Sequence, residues 1–119
     1  MSNKKIPQPT ESELEILQIL WQNGSSSVRT VNEELNKSRE VGYTTTLKLM
    51  QIMLEKGLAG RNTDARTHIY HAIATEESTQ KQLLSQFMDK AFRGSAANLV
   101  MQALGNHHAS PRELEDIKK

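Results

Sequence analysis

The chain has 119 residues, 36% of them hydrophobic, no cysteine and a formal net charge of +1. That length holds one domain and a small helical appendage rather than two cores, and the modest apolar fraction suits a chain that completes its core with a second copy. Missing cysteines exclude disulfides, thiolate metal sites and cysteine nucleophiles. No apolar run nears the ~18 residues of a membrane span, so a soluble cytoplasmic protein without direct membrane binding is expected.

Helix starts and stops are well marked. Thr10 and Glu13 have capping-box spacing, and Leu14, Ile16, Leu17, Leu20 and Trp21 follow at helical spacing until Asn23-Gly24. Ser25-Ser-Ser27 reads as a turn and N-cap for a short second helix on Val28, Val31 and Leu35, ending near Asn36 to Ser38. A third helix is expected from about Thr44 to Lys56, with Leu47, Met50 and Leu54 as its apolar stripe and Gly57 as its stop. The period then changes. Leu58 to Asn62 and Thr67 to Ile73 read as two strands around a polar tip.

Three helices and a hairpin are the winged-helix order. The predicted fold class is therefore mainly α (α+β): an N-terminal winged helix-turn-helix with a two-stranded wing over residues 1–74, then a helical dimerisation segment over 75–119. Beyond Glu76-Glu77 a fourth helix carries Leu84, Phe87, Met88, Ala91 and Phe92, and Gly94-Ser95 breaks it. A fifth carries Leu99, Val100, Ala103 and Leu104, and Ser110-Pro111 with Glu113 starts a sixth bearing Leu114 and Ile117. Little remains inside one small domain for these stripes to pack on. Their natural partner is the same surface of a second copy, so Leu84, Phe87, Met88, Phe92, Leu99, Val100, Ala103, Leu104, Leu114 and Ile117 are the candidate dimer residues.

Charge is distributed unevenly. Residues 1–36 carry −2 (Lys4, Lys5 and Arg29 against five glutamates), residues 37–73 carry +3 (six basic against three acidic), and the remainder balances at six against six. A polyanion site therefore belongs in the middle third. Candidate DNA-contacting residues are Thr44, Thr45, Thr46, Lys48 and Gln51 on the third helix, with Arg61, Arg66 and His68 on the wing. Hydroxyl and amide groups at the helix start suit base edges, and the cations suit phosphates. An ordinary solvated helix face has the same composition; the order of elements favours DNA. His68 and His71, three apart on a strand, point to opposite faces, so no metal site is expected, and no cofactor. Phosphate loops, nucleophile elbows and HExxH are absent, which argues against an enzyme.

Four stretches resemble the BlaI/MecI family of penicillinase and methicillin-resistance repressors, over nearly the whole chain. They are Thr10-Glu-Ser-Glu-Leu-Glu-Ile-Leu17 with Leu20-Trp21; Gly42-Tyr-Thr-Thr-Thr46 leading to Glu55-Lys-Gly-Leu58; Thr67-His-Ile-Tyr70; and Phe92-Arg-Gly-Ser-Ala-Ala-Asn-Leu-Val100. The resemblance implies a transcriptional repressor, a homodimer on a dyad-symmetric operator, with helices 4 to 6 forming the dimer and a membrane-bound sensor/protease system acting indirectly. The chain departs from the pattern at Gln102-Ala103, where cleavable members carry Asn-Phe, and at Ile52, where a basic residue is usual. Copper-responsive relatives carry C-terminal cysteines that this chain lacks. Two other functions compete. A ligand-responsive winged-helix regulator needs an enclosed pocket, for which aromatic residues are few. A protein-interaction adaptor that does not bind DNA has no need of Lys48, Arg61 and Arg66 around one groove.

Overall fold

A computed structural model of the chain describes residues 6–64 and 66–106. Thr10 opens α1 (Glu11–Asn23) through a reciprocal capping box. Its hydroxyl accepts from the Glu13 amide at 3.2 Å, and the Glu13 carboxylate accepts from the Thr10 amide at 2.9 Å. Two donors that a helix start leaves without partners are thereby satisfied. After Gly24 come β1 (Ser26–Ser27) and α2 (Val28–Leu35), which Ser27 caps by accepting from the Thr30 amide at 3.1 Å.

α3 (Tyr43–Lys56) stops at Gly57, whose φ of 85° lies in the left-handed region that favours glycine. β2 (Ala59–Asn62) and β3 (Ile69–Ala72) follow as an antiparallel hairpin, with Arg61 opposite Tyr70. The wing sheet has three strands rather than the expected two, in the order β1-β3-β2, because Ser26 and Ser27 pair with Tyr70 and Ile69. Two serines carry no alternation that would mark a strand.

α4 (Glu76–Phe92) begins where the Thr75 hydroxyl accepts from the Ser78 amide at 3.2 Å, and α5 (Ala96–Asn106) where Ser95 accepts from the Asn98 amide at 3.2 Å. The expected sixth helix, with Leu114 and Ile117, lies outside the described residues. The chain divides into two compact units, residues up to Gln80 and residues from Lys81 onward. Among the described residues no helix is long and apolar enough to cross a membrane.

The core of the first unit gathers Ile16, Leu17 and Leu20 from α1, Val31 and Leu35 from α2, Met50 and Met53 from α3, and Leu58 and Tyr70 from the hairpin. Each such aliphatic side chain contributes about 1.5–3 kcal/mol by leaving water. The Trp21 indole donates to the Ala74 carbonyl at 2.9 Å and so ties α1 to the chain leaving β3. Lys56, in the last turn of α3, reaches back to the buried Glu13 carboxylate at 2.9 and 3.0 Å. Burial alone would push that carboxyl up, but hydrogen bonds from Lys56 and Thr10, with the ammonium charge, hold it below its ordinary value near 4.5.

Candidate nucleic-acid interface

The residues joining α2 to α3 fix how α3 is presented. Asn32 donates through Nδ2 to the Val41 carbonyl and to the Thr46 hydroxyl, both at 2.9 Å. Asn36 donates to the carbonyls of Asn32 at 2.7 Å and Val41 at 2.8 Å, and accepts from the Val41 amide at 3.1 Å. Two asparagine amides thus saturate a turn that carries no glycine-proline signal, and the Thr46 hydroxyl closes the set by donating to the Gly42 carbonyl at 3.3 Å.

Thr46 therefore does not belong with the DNA-contacting candidates. It is 0% exposed and shares the buried stripe of α3 with Met50 and Met53, whereas Leu47 and Leu54 are only partly buried. Its hydroxyl reads as polar in a hydropathy pattern, although the asparagine above it makes it a core residue. Thr46→Val should cost about 1 kcal/mol of stability, because it keeps the shape and removes one hydrogen-bond partner. Urea unfolding measures it, and discrimination between DNA sequences should survive in the folded variant.

The other four helix residues share an exposed face: Thr44 and Thr45 on the first turn, then Lys48 and Gln51. Beside them an open cleft of about 300 Å³ separates α3 from the hairpin, with Val28, Leu47 and Tyr70 among its apolar lining and Arg61, Arg66 and His68 among its polar lining. The structure thus brings together the wing cations and Gln51. It adds Ser27, Arg29, Tyr43 and Thr67, none of which the sequence reading counted among the DNA contacts. Arg29 reads as an ordinary solvated charge at i, i+4 from Glu33, and those two side chains lie 3.6 Å apart in the open. Tyr43, half-exposed at 51%, had a usable signal: a large aromatic on the first turn of the helix proposed to enter a groove. His71 takes no part, since its ring rests on Gly60, where an added Cβ would lie 2.5 Å from Nε2.

A family model described as penicillinase repressor matches residues 9–119. The chain belongs to the penicillinase repressor family. A penicillinase repressor of Bacillus licheniformis is 24% identical over 114 residues, covering 96% of this chain and 89% of the relative. The methicillin resistance regulatory protein MecI of Mammaliicoccus sciuri is 23% identical over 109 residues, covering 92% of this chain and 89% of that protein. Among solved structures, the DNA-binding domain of the repressor BlaI matches with a TM-score of 0.55 at 27% identity, over 63% of this chain and 92% of that one. The Bacillus licheniformis BlaI monomeric form in complex with the blaP half-operator matches with a TM-score of 0.54 at 26% identity, over 62% and 90% of the two chains. Both structural matches show that this member of the penicillinase repressor family has the winged-helix fold of BlaI.

Proposed function

We propose that this chain is a cytoplasmic transcription repressor that binds a dyad-symmetric operator as a homodimer. Residues 1–74 act as the winged helix that reads one half-site, and 75–119 as the dimerising segment. The observation that carries this reading is the exposed Thr44, Thr45, Lys48, Gln51 face beside a cleft bordered by arginines, in a chain of a repressor family. The half-operator bound by the Bacillus licheniformis relative supports it. Thr44 and Thr45 stand at the start of α3, where short side chains allow close approach to base edges; Lys48 supplies a phosphate contact. Leu84, Phe87, Met88, Phe92, Leu99, Val100, Ala103 and Leu104 lie on α4 and α5, and several are exposed apolar groups that a second copy would cover.

Titration of promoter DNA from the gene's own neighbourhood against random duplex tests the assignment. Lys48→Ala should weaken binding to both and reduce the log-log salt slope by about one. Thr44→Ala and Thr45→Ala should instead narrow the gap between operator and random DNA, by about tenfold for the one that touches a base. Equal affinities for all variants would remove α3 from the interface.

A further inference from the structure

Most of the apolar side chains of α3 serve the interior. Met50 and Met53 are in the core, and Leu47, Leu49 and Leu54 pack against it. Ile52 stands elsewhere. It is half-buried, and at i+4 from Lys48 and i+7 from Thr45 it shares the face on which those exposed residues lie. Helical spacing sets it on the opposite flank of that face from Leu47 and Gln51, which border the cleft beside the hairpin. An isoleucine has neither donor nor acceptor. Pressed on the amino group of cytosine or adenine, or on O6 of guanine, it would take water from those groups and give no partner in return. Thymine alone sets an apolar group, its 5-methyl, in the major groove. A β-branched side chain in a helix is also nearly fixed in one rotamer, so it offers a preformed methyl surface at little entropic cost.

We propose that Ile52 is a specificity-determining residue that packs on the 5-methyl of one thymine in each half-site. The inference rests on the repressor reading above and adds to it the identity of one base. A single exposed apolar side chain is ordinary on a protein surface; continuity with Thr45 and Lys48 on the interface face is what assigns this one its occupant. Thr44 and Thr45 supply hydrogen bonds, Lys48 supplies charge, and Ile52 supplies the contact that excludes water from a base edge.

Deoxyuridine keeps every hydrogen-bonding group of thymine and lacks only the methyl. Thymines are replaced by it one at a time in the duplex, from the gene's own promoter neighbourhood, that the full chain binds best. One position per half-site should weaken binding by about fourfold, the worth of one buried methyl-sized group. Ile52→Ala should be insensitive to that same replacement, Ile52→Val should keep part of the response, and both should retain the parent's salt slope because no phosphate contact is lost. In the parent complex the Ile52 Cδ1 methyl resonance should shift and show a nuclear Overhauser effect to that thymine methyl, a readout that needs no variant to fold. Replacements that act equally on parent and Ile52→Ala would overturn the proposal and leave the repressor reading standing, as would an Ile52 methyl resonance unmoved by bound duplex. A chain with no preference for promoter duplex over random DNA would overturn the repressor reading, and this assignment with it.

Discussion

A chain carrying Leu84→Glu and Phe87→Glu should sediment as a monomer and bind the full operator about 10²–10⁴-fold more weakly, with half-operator affinity unchanged. The two side chains are 52% and 54% exposed on α4, so charge is accommodated there without disturbing a packed interior. Phe87 meets Phe92 edge to face, with centroids 5.6 Å apart, and Val100, Met101 and Leu104 are further exposed apolar groups on α5. So many large apolar groups in water on two helices are unusual for a monomer. If a second copy covers them, two glutamates opposite apolar partners would remain unpaired in a desolvated interface, and association would fail. The avidity follows from linkage: once one winged helix holds its half-site, the other searches at an effective concentration of roughly millimolar. Sedimentation, circular dichroism and titration of whole and half operators measure the outcome. A variant that remained dimeric and bound the full operator as the parent does would move the dimer surface elsewhere.

Lys56→Met should lower stability by about 2–4 kcal/mol at neutral pH, because it leaves the Glu13 carboxylate buried without its counter-ion. Glu13 is 2% exposed and the Lys56 side chain 33%, which places the expected cost toward the lower part of the usual range for broken buried pairs. The pH dependence separates this from lost packing. Glu13 has its folded value depressed, so its ion pair contributes fully above the ordinary value near 4.5, and the contribution disappears as pH falls through the lower folded value. In Lys56→Met only burial and the Thr10 contacts act on the carboxyl, and it rises. Unfolding in guanidinium should therefore show a wide gap between parent and variant at pH 7 that narrows as the pH falls toward and through the ordinary carboxylate value near 4.5. A gap of equal width across that range would assign Lys56 a packing role alone.

Much of this was legible in the sequence because local rules sufficed. Thr10 with Glu13, Ser27 before Val28, and Gly24 and Gly57 after their helices are signals in which the residue type is the mechanism, and the structure places caps and stops at each. What escaped depends on contacts between residues far apart in the chain. Whether Thr46 faces a groove or the core is decided by Asn32, fourteen positions earlier, whose amide needs its hydroxyl. Ser26 and Ser27 become a strand only because β3 offers an edge. Ser27 and Arg29, remote in sequence from Tyr43 and Arg61, line one cleft with them only after the hairpin folds beside α2 and α3.

The paired asparagine contacts at the α2–α3 junction have a bearing on which partner must adapt. Turning α3 about its axis would strip the half-buried Asn32 amide of the Thr46 hydroxyl and leave that hydroxyl, itself buried, without its donor, a cost of about 1–3 kcal/mol. The helix consequently meets every duplex with the same side chains at one fixed attitude. Misfit must be absorbed by the DNA, through bending or a change of groove width, at a cost of order 1–6 kcal/mol that depends on the base steps being deformed. Pliant pyrimidine–purine steps between the half-sites would then favour binding although no side chain touches them. A rigid protein joint thus turns the mechanical character of untouched base pairs into part of the address.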